Sequence, residues 1–125
     1  MDVRERKPPR RFAVGPKGAQ ATLAHCADVA LEPDEMVSFV TASGTEFDVV
    51  RKAWGYYATP SLNARLPEKG LRPALVGSTT RRYVLLAEPA RLDEFHAYLK
   101  SQHMTVIAWL DVDEVVSVKS ASEHS

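Results

Sequence analysis

Hydrophobic and polar positions alternate most clearly from Met36 onward. Val37, Phe39 and Thr41 fall on one side of an extended chain, and Met36, Ser38 and Val40 on the other. That is the two-residue period of a strand. Ser43-Gly44 is a turn signal, after which Thr45, Phe47 and Val49 alternate with Glu46, Asp48 and Val50. The pattern predicts a hairpin. Thr59-Pro60 reads as a helix start, threonine capping and proline at the first helical position. The predicted helix carries Leu62 and Leu66 and is finished by Gly70. A second hairpin is predicted from Pro73–Val76, a turn at Gly77–Thr80 and a strand over Arg82–Ala87. Leu92, Phe95, His96 and Leu99 recur at i, i+3, i+4 and i+7, one face of a helix running from Ala90 to Gln102. Met104–Leu110 is β-branched and apolar and reads as a central strand. Residues 111–118 read as a short edge strand and 119–125 as a loose tail.

The first third is harder to read. Residues 1–17 contain Pro8, Pro9, Gly15 and Pro16 with few apolar side chains, the composition of a flexible basic arm. Residues 18–33 are alanine-rich, with Leu23, Ala27, Ala30 and Leu31 at roughly helical spacing. Helix and strand both fit, and Pro33 ends the element. The expected architecture is an α+β fold, a single domain over residues 18–118. Its order is ββα-ββα-β, with a mixed sheet and helices on one face. The strands on either side of the second helix are expected to run parallel through a right-handed crossover.

Composition narrows the class of protein. A chain of 125 residues, 45% hydrophobic and 26% charged, has the makeup of a soluble globular domain. Its one cysteine, Cys26, excludes an internal disulfide and a multi-cysteine zinc site. Sixteen cations balance sixteen anions, which argues against a nucleic-acid binder. The charge is uneven, however. Residues 1–17 carry +4 and the remaining 108 carry −4, so the arm could reach a phosphate backbone or an acidic protein face. No apolar run approaches the roughly 20 residues of a membrane helix, and no secretory apolar core follows the basic start. The expected location is cytoplasmic, with no membrane partner.

One segment concentrates chemistry. Between Asp48 and Arg65 lie the cations Arg51, Lys52 and Arg65, the aromatics Trp54, Tyr56 and Tyr57, and the polar Ser61 and Asn63. The expectation is an anion site: arginine forks grip phosphate or carboxylate, aromatics stack on a base or sugar face, and helix N–H groups lie near. Capping, a bend at Gly55 and ordinary burial of one tyrosine account for the same residues. The stretch E-F-D-V-V-x-K-x-W-G-Y-Y-A-T-P-S-L-N-x-R-L over residues 46–66 resembles a segment of small uncharacterised bacterial proteins. Such proteins occur among genes for surface sugars or secondary metabolites. The resemblance implies no activity and assigns no residue a role; the ligand class expected is a sugar phosphate or nucleotide sugar.

Other candidates carry weaker signals. His25-Cys26 with Asp28 matches no metal spacing, and a lone cysteine reads as a small buried hydrophobe. Asp93 three residues before His96 has the spacing of an acid/base pair, and a boundary histidine explains it as well. Asp111, Asp113 and Glu114 form an acidic cluster past a strand, and Arg81-Arg82 lie beside Thr79 and Thr80. No phosphate-loop, dinucleotide, nucleophile-elbow or zinc-protease motif is present, and neither a metal nor a cofactor is expected. Three readings stay open. The favoured one is an accessory domain binding an anionic metabolite. A second is a small enzyme using Asp48, Tyr57 or His96. The third is an interaction module working through the basic arm. An exposed Trp54–Tyr57 patch would equally serve a homodimer.

Overall fold

The computed structural model describes residues 1–58 and 60–112. It corrects the expected fold class. Among the described residues eight strands form three antiparallel sheets with two α-helices, not one mixed sheet in a ββα-ββα-β order with both helices on one face. The strands are β1 (Asp2–Val14), β2 (Ala21–Ala30), β3 (Met36–Val40), β4 (Glu46–Lys52), β5 (Gly55–Ala58), β6 (Arg72–Gly77), β7 (Arg82–Ala87) and β8 (Thr105–Trp109). The helices are α1 (Arg65–Glu68) and α2 (Leu92–Ser101). The chain groups into two compact units. The first is Met1–Val37 with Asp48–Ala58; the second is Ser38–Phe47 with the described part of Thr59–Ser125.

The arm expected to be flexible is strand β1. It pairs antiparallel with β2 in a ribbon of two strands. Pairs run from Asp2↔Ala30 to Glu5↔Ala27, break, and resume from Arg10↔His25 to Val14↔Ala21. Pro8 and Pro9 sit in the break, because proline has no N–H to give the ladder. Gly15 and Gly18 take positive φ in the connecting turn, a conformation glycine adopts without a Cβ penalty. The ambiguous stretch 18–33 thus supplies a strand, and its helical spacing is incidental.

Both predicted hairpins are present. Strands β3 and β4 are neighbours, and β5 extends their sheet in the order β3-β4-β5. The first helix is shorter than expected. Ser61 accepts the Arg65 N–H on its hydroxyl at 2.9 Å and the Leu66 N–H on its carbonyl at 2.9 Å. Residues 61–64 are therefore a turn, and helix begins only at Arg65.

The third sheet has the order β7-β6-β8. Both outer strands run antiparallel to β6, so β7 and β8 point the same way with β6 between them and form no parallel ladder. The central strand is β6, and β8 is an edge with Ile107 exposed. Helix α2 covers one face of this sheet. Leu99 packs on Ala74 and Val76, with Phe95, Leu85, Val106 and Trp109 around them. At Gly77 an added Cβ would stand 2.4 Å from the Arg81 carbonyl oxygen, so the tight turn between β6 and β7 demands glycine. Residues 113–118, read as an edge strand, and the tail 119–125 lie outside the described residues, as do Asp113 and Glu114 of the acidic cluster.

Candidate functional site

The chemistry-bearing segment divides between the two units. Arg51, Lys52, Trp54, Tyr56 and Tyr57 belong to the first, and Ser61, Asn63 and Arg65 to the second. In the first unit they build the β4–β5 hairpin, paired as Val49↔Ala58, Val50↔Tyr57, Arg51↔Tyr56 and Lys52↔Gly55. Directly paired residues share a face and neighbours in sequence do not. Arg51 therefore lies with Tyr56 on one face, and Lys52 with Tyr57 on the other. Trp54 sits in the turn between them, followed by Gly55 at φ +148°. All three aromatics face solvent: Trp54 is 74% exposed, Tyr56 69% and Tyr57 51%.

The segment before β3 fixes the hairpin. The Asp34 N–H donates to the Arg51 carbonyl at 2.7 Å, and the Arg51 N–H donates to the Glu35 carbonyl at 3.0 Å. One guanidinium nitrogen of Arg51 donates to the Leu31 carbonyl at 2.9 Å. The Lys52 ammonium pairs with Asp34 at 2.5 Å. Asp34 itself adopts φ +69°. Glu35 accepts the Glu32 N–H at 2.8 Å and pairs with the Met1 ammonium at 2.9 Å. The Glu32 N–H bond first, then the ammonium, holds the Glu35 carboxyl below its usual range. The same Glu35 bond raises the Met1 ammonium. Asp48, at the far end of β4, is buried and engaged within the protein.

This arrangement decides what the hairpin can do. Lys52 already has a carboxylate partner. Arg51 spends one of its five N–H donors on a carbonyl and has no carboxylate partner among the described residues, which leaves the rest of its fork for an anion. The aromatics offer flat, uncovered surface. In the second unit Ser61 is occupied as the turn that starts α1, while Asn63 and Arg65 are exposed.

A concave feature in the second unit was not anticipated. A shallow cleft of about 290 Å³ in the second unit has a floor of Leu71, Leu86, Ala87 and Phe95 and a rim of Thr41, Glu88, Arg91, Glu94 and Tyr98. Arg91 lies 3.6 Å from Glu94, and Ser43 donates to Glu88 at 2.5 Å. Arg91, Glu94, Phe95 and Tyr98 recur at i, i+3, i+4 and i+7, so the stripe was legible beside the apolar one that identified α2. With two carboxylates against one paired arginine, this cleft repels an anion.

The remaining candidates find structural places. His96 packs its ring against Phe95 at 5.5 Å and edge-on against Trp109 at 6.3 Å. Cys26 is exposed, not buried, and His25 pairs with Asp28 at 2.9 Å. Asp111 takes two nitrogens of Arg72 at 2.7 and 3.2 Å, and that guanidinium stacks 4.0 Å over Trp109. The Asp111 bond raises the Arg72 pKa further. Ser78 accepts the N–H groups of Thr80 and Arg81, each at 3.3 Å, shaping the turn before β7. Among the described residues no group of three or more His, Cys, Asp or Glu could hold a metal ion. No helix there is long and apolar enough to cross a membrane. No family model matches the chain, and no curated protein or solved structure matches it.

Proposed function

We propose that the protein is an accessory binding domain that holds an anionic metabolite with a flat ring, of the nucleotide or nucleotide-sugar class, on the β4–β5 hairpin. The observation that carries the reading is the pairing of Arg51 with Tyr56 on one face, beside a Trp54 side chain that is 74% exposed. A base or sugar ring stacks on the aromatics, and a phosphate takes the free N–H groups of Arg51. Lys52, on the opposite face and tied to Asp34, stiffens the hairpin. The acidic cleft in the second unit is the poorer host for such a ligand on charge alone.

Trp54 supplies its own reporter. Titration with uridine and guanosine diphosphates and their sugar conjugates is expected to quench its emission saturably. Trp54→Phe removes the signal change. Tyr56→Ala and Arg51→Gln each weaken affinity about tenfold or more, the effect of losing a stacking face or a charged hydrogen bond. No saturable change with any nucleotide, sugar phosphate or inorganic phosphate would overturn the assignment.

A further inference from the structure

The β1–β2 ribbon is amphipathic, and its apolar face is uncovered. The register places Val3 beside Val29, Phe12 beside Leu23 and Val14 beside Ala21. On β2, residues 21, 23, 25, 27 and 29 share a face by the two-residue period. All five large apolar side chains of the ribbon therefore lie together, and each is between 37% and 51% exposed. The opposite face carries Arg4 beside Asp28 and Arg11 beside Ala24. A two-stranded ribbon standing alone is marginal in water, so this face calls for a cover.

We propose that the cover is the same ribbon of a second copy of this chain, packed face to face and antiparallel about a two-fold axis. The order of rungs along the face argues for it. From one end they read Val3/Val29, Glu5/Ala27, Arg10/His25, Phe12/Leu23 and Val14/Ala21. The sequence of rungs is thus apolar, acidic, basic, apolar, apolar. Reversed about the midpoint of the first four, it sets Val3/Val29 against Phe12/Leu23 and Glu5 against the Arg10 of the other copy, twice, and leaves Val14/Ala21 overhanging at each end. Overlapping all five rungs sets Arg10 against Arg10, and a parallel arrangement sets like against like at both charged rungs. Only the four-rung antiparallel register pairs opposite charges. Glu5 now pairs with Lys7 at 2.8 Å and Arg10 lies 4.8 Å over the Phe12 ring. Both are exposed contacts that exchange at little cost.

Size sets the strength. The four rungs span seven residues of β2, and at about 3.4 Å each and two strands of about 4.8 Å they give roughly 230 Å² of flat face. A standard interface buries about 800 Å² per partner, so the pairing is weak and reversible.

The test is sedimentation equilibrium of the full chain from about 10 μM to about 1 mM, the range of weak association. Wild type is expected to move from monomer toward dimer. Glu5→Arg alone and Arg10→Glu alone each meet two like-charge contacts and weaken the dimer about tenfold or more. An equimolar mixture of these two variants restores association, because the heterodimer pairs Arg with Arg10→Glu and Arg10 with Glu5 at its two charged rungs. The double variant Glu5→Arg/Arg10→Glu dimerises as wild type does, which separates a lost contact from a lost fold. A wild-type chain that stays monomeric to 1 mM overturns the proposal and leaves the face to a different partner. So does a dimer indifferent to both reversals, or a mixture no tighter than its components.

Discussion

Two regions of this molecule solve the same problem unequally. The β6–β7–β8 sheet and the β1–β2 ribbon are both antiparallel and both present one apolar face. In the sheet, α2 covers that face, and Ala74, Val76 and Leu99 are excluded from water. In the ribbon nothing among the described residues covers Val3, Phe12, Val14, Leu23 and Val29. Alternating pattern alone, then, makes a strand pair but not a core. A core needs a third element at the right distance. A ten-residue helix returning over three strands supplies one, and a long hairpin does not.

The contrast can be broken in measurable ways. Leu99→Ala removes a side chain at the centre of the covered face and is expected to cost about 2–5 kcal/mol by urea unfolding. Gly77→Ala forces a Cβ toward the Arg81 carbonyl and is expected to cost about 1–3 kcal/mol. Little change there would mean the β6–β7 turn can open. Asp111→Asn weakens the paired bond to Arg72, itself held over Trp109. A loss of about 1–2 kcal/mol is expected for a partly buried charged hydrogen bond. Leu23→Ala in the ribbon is expected to cost under about 1 kcal/mol in dilute solution, because its side chain already meets water. A loss as large as that of Leu99→Ala would mean that the ribbon is covered in the monomer.

The smallest effect is one of pH. Asp28 is held below the usual carboxylate range, mainly by its bond to Arg6, and Glu35 mainly by the Glu32 N–H. A depressed carboxyl binds its proton more readily in the unfolded chain. Its contribution is therefore present above the ordinary pKa and fades as pH falls through the depressed value. Amides of β1 and β2 are expected to exchange faster as pH drops below about 4, after correction for intrinsic rates, while those of β6 hold. Equal loss of protection in both regions would erase the distinction.

The candidate site was partly legible for the same reasons. The density of aromatics and cations between Asp48 and Arg65 marked the segment. The one-residue offset of a strand then placed Arg51 with Tyr56 and Lys52 with Tyr57 on opposite faces. That offset is invisible until the register is known. Nor could the residues themselves announce that Asp34, eighteen positions earlier, holds Lys52. The acidic cleft was missed because a stripe of mixed polarity on α2 reads as solvated surface until a sheet stands beside it.

Local signals in the sequence determined the two central hairpins, helix α2 and the demand for glycine at the turns, because periodicity and turn chemistry act within a few residues. Tertiary structure decided the rest. Residues 2–14 became a strand only because β2 supplies the hydrogen bonds that their prolines and charges cannot signal. Strand β6 became the centre of its sheet because the chain crosses over it to place β8 on its far side. Pairing between distant segments is a property of the whole chain's packing, and no window of neighbouring residues contains it.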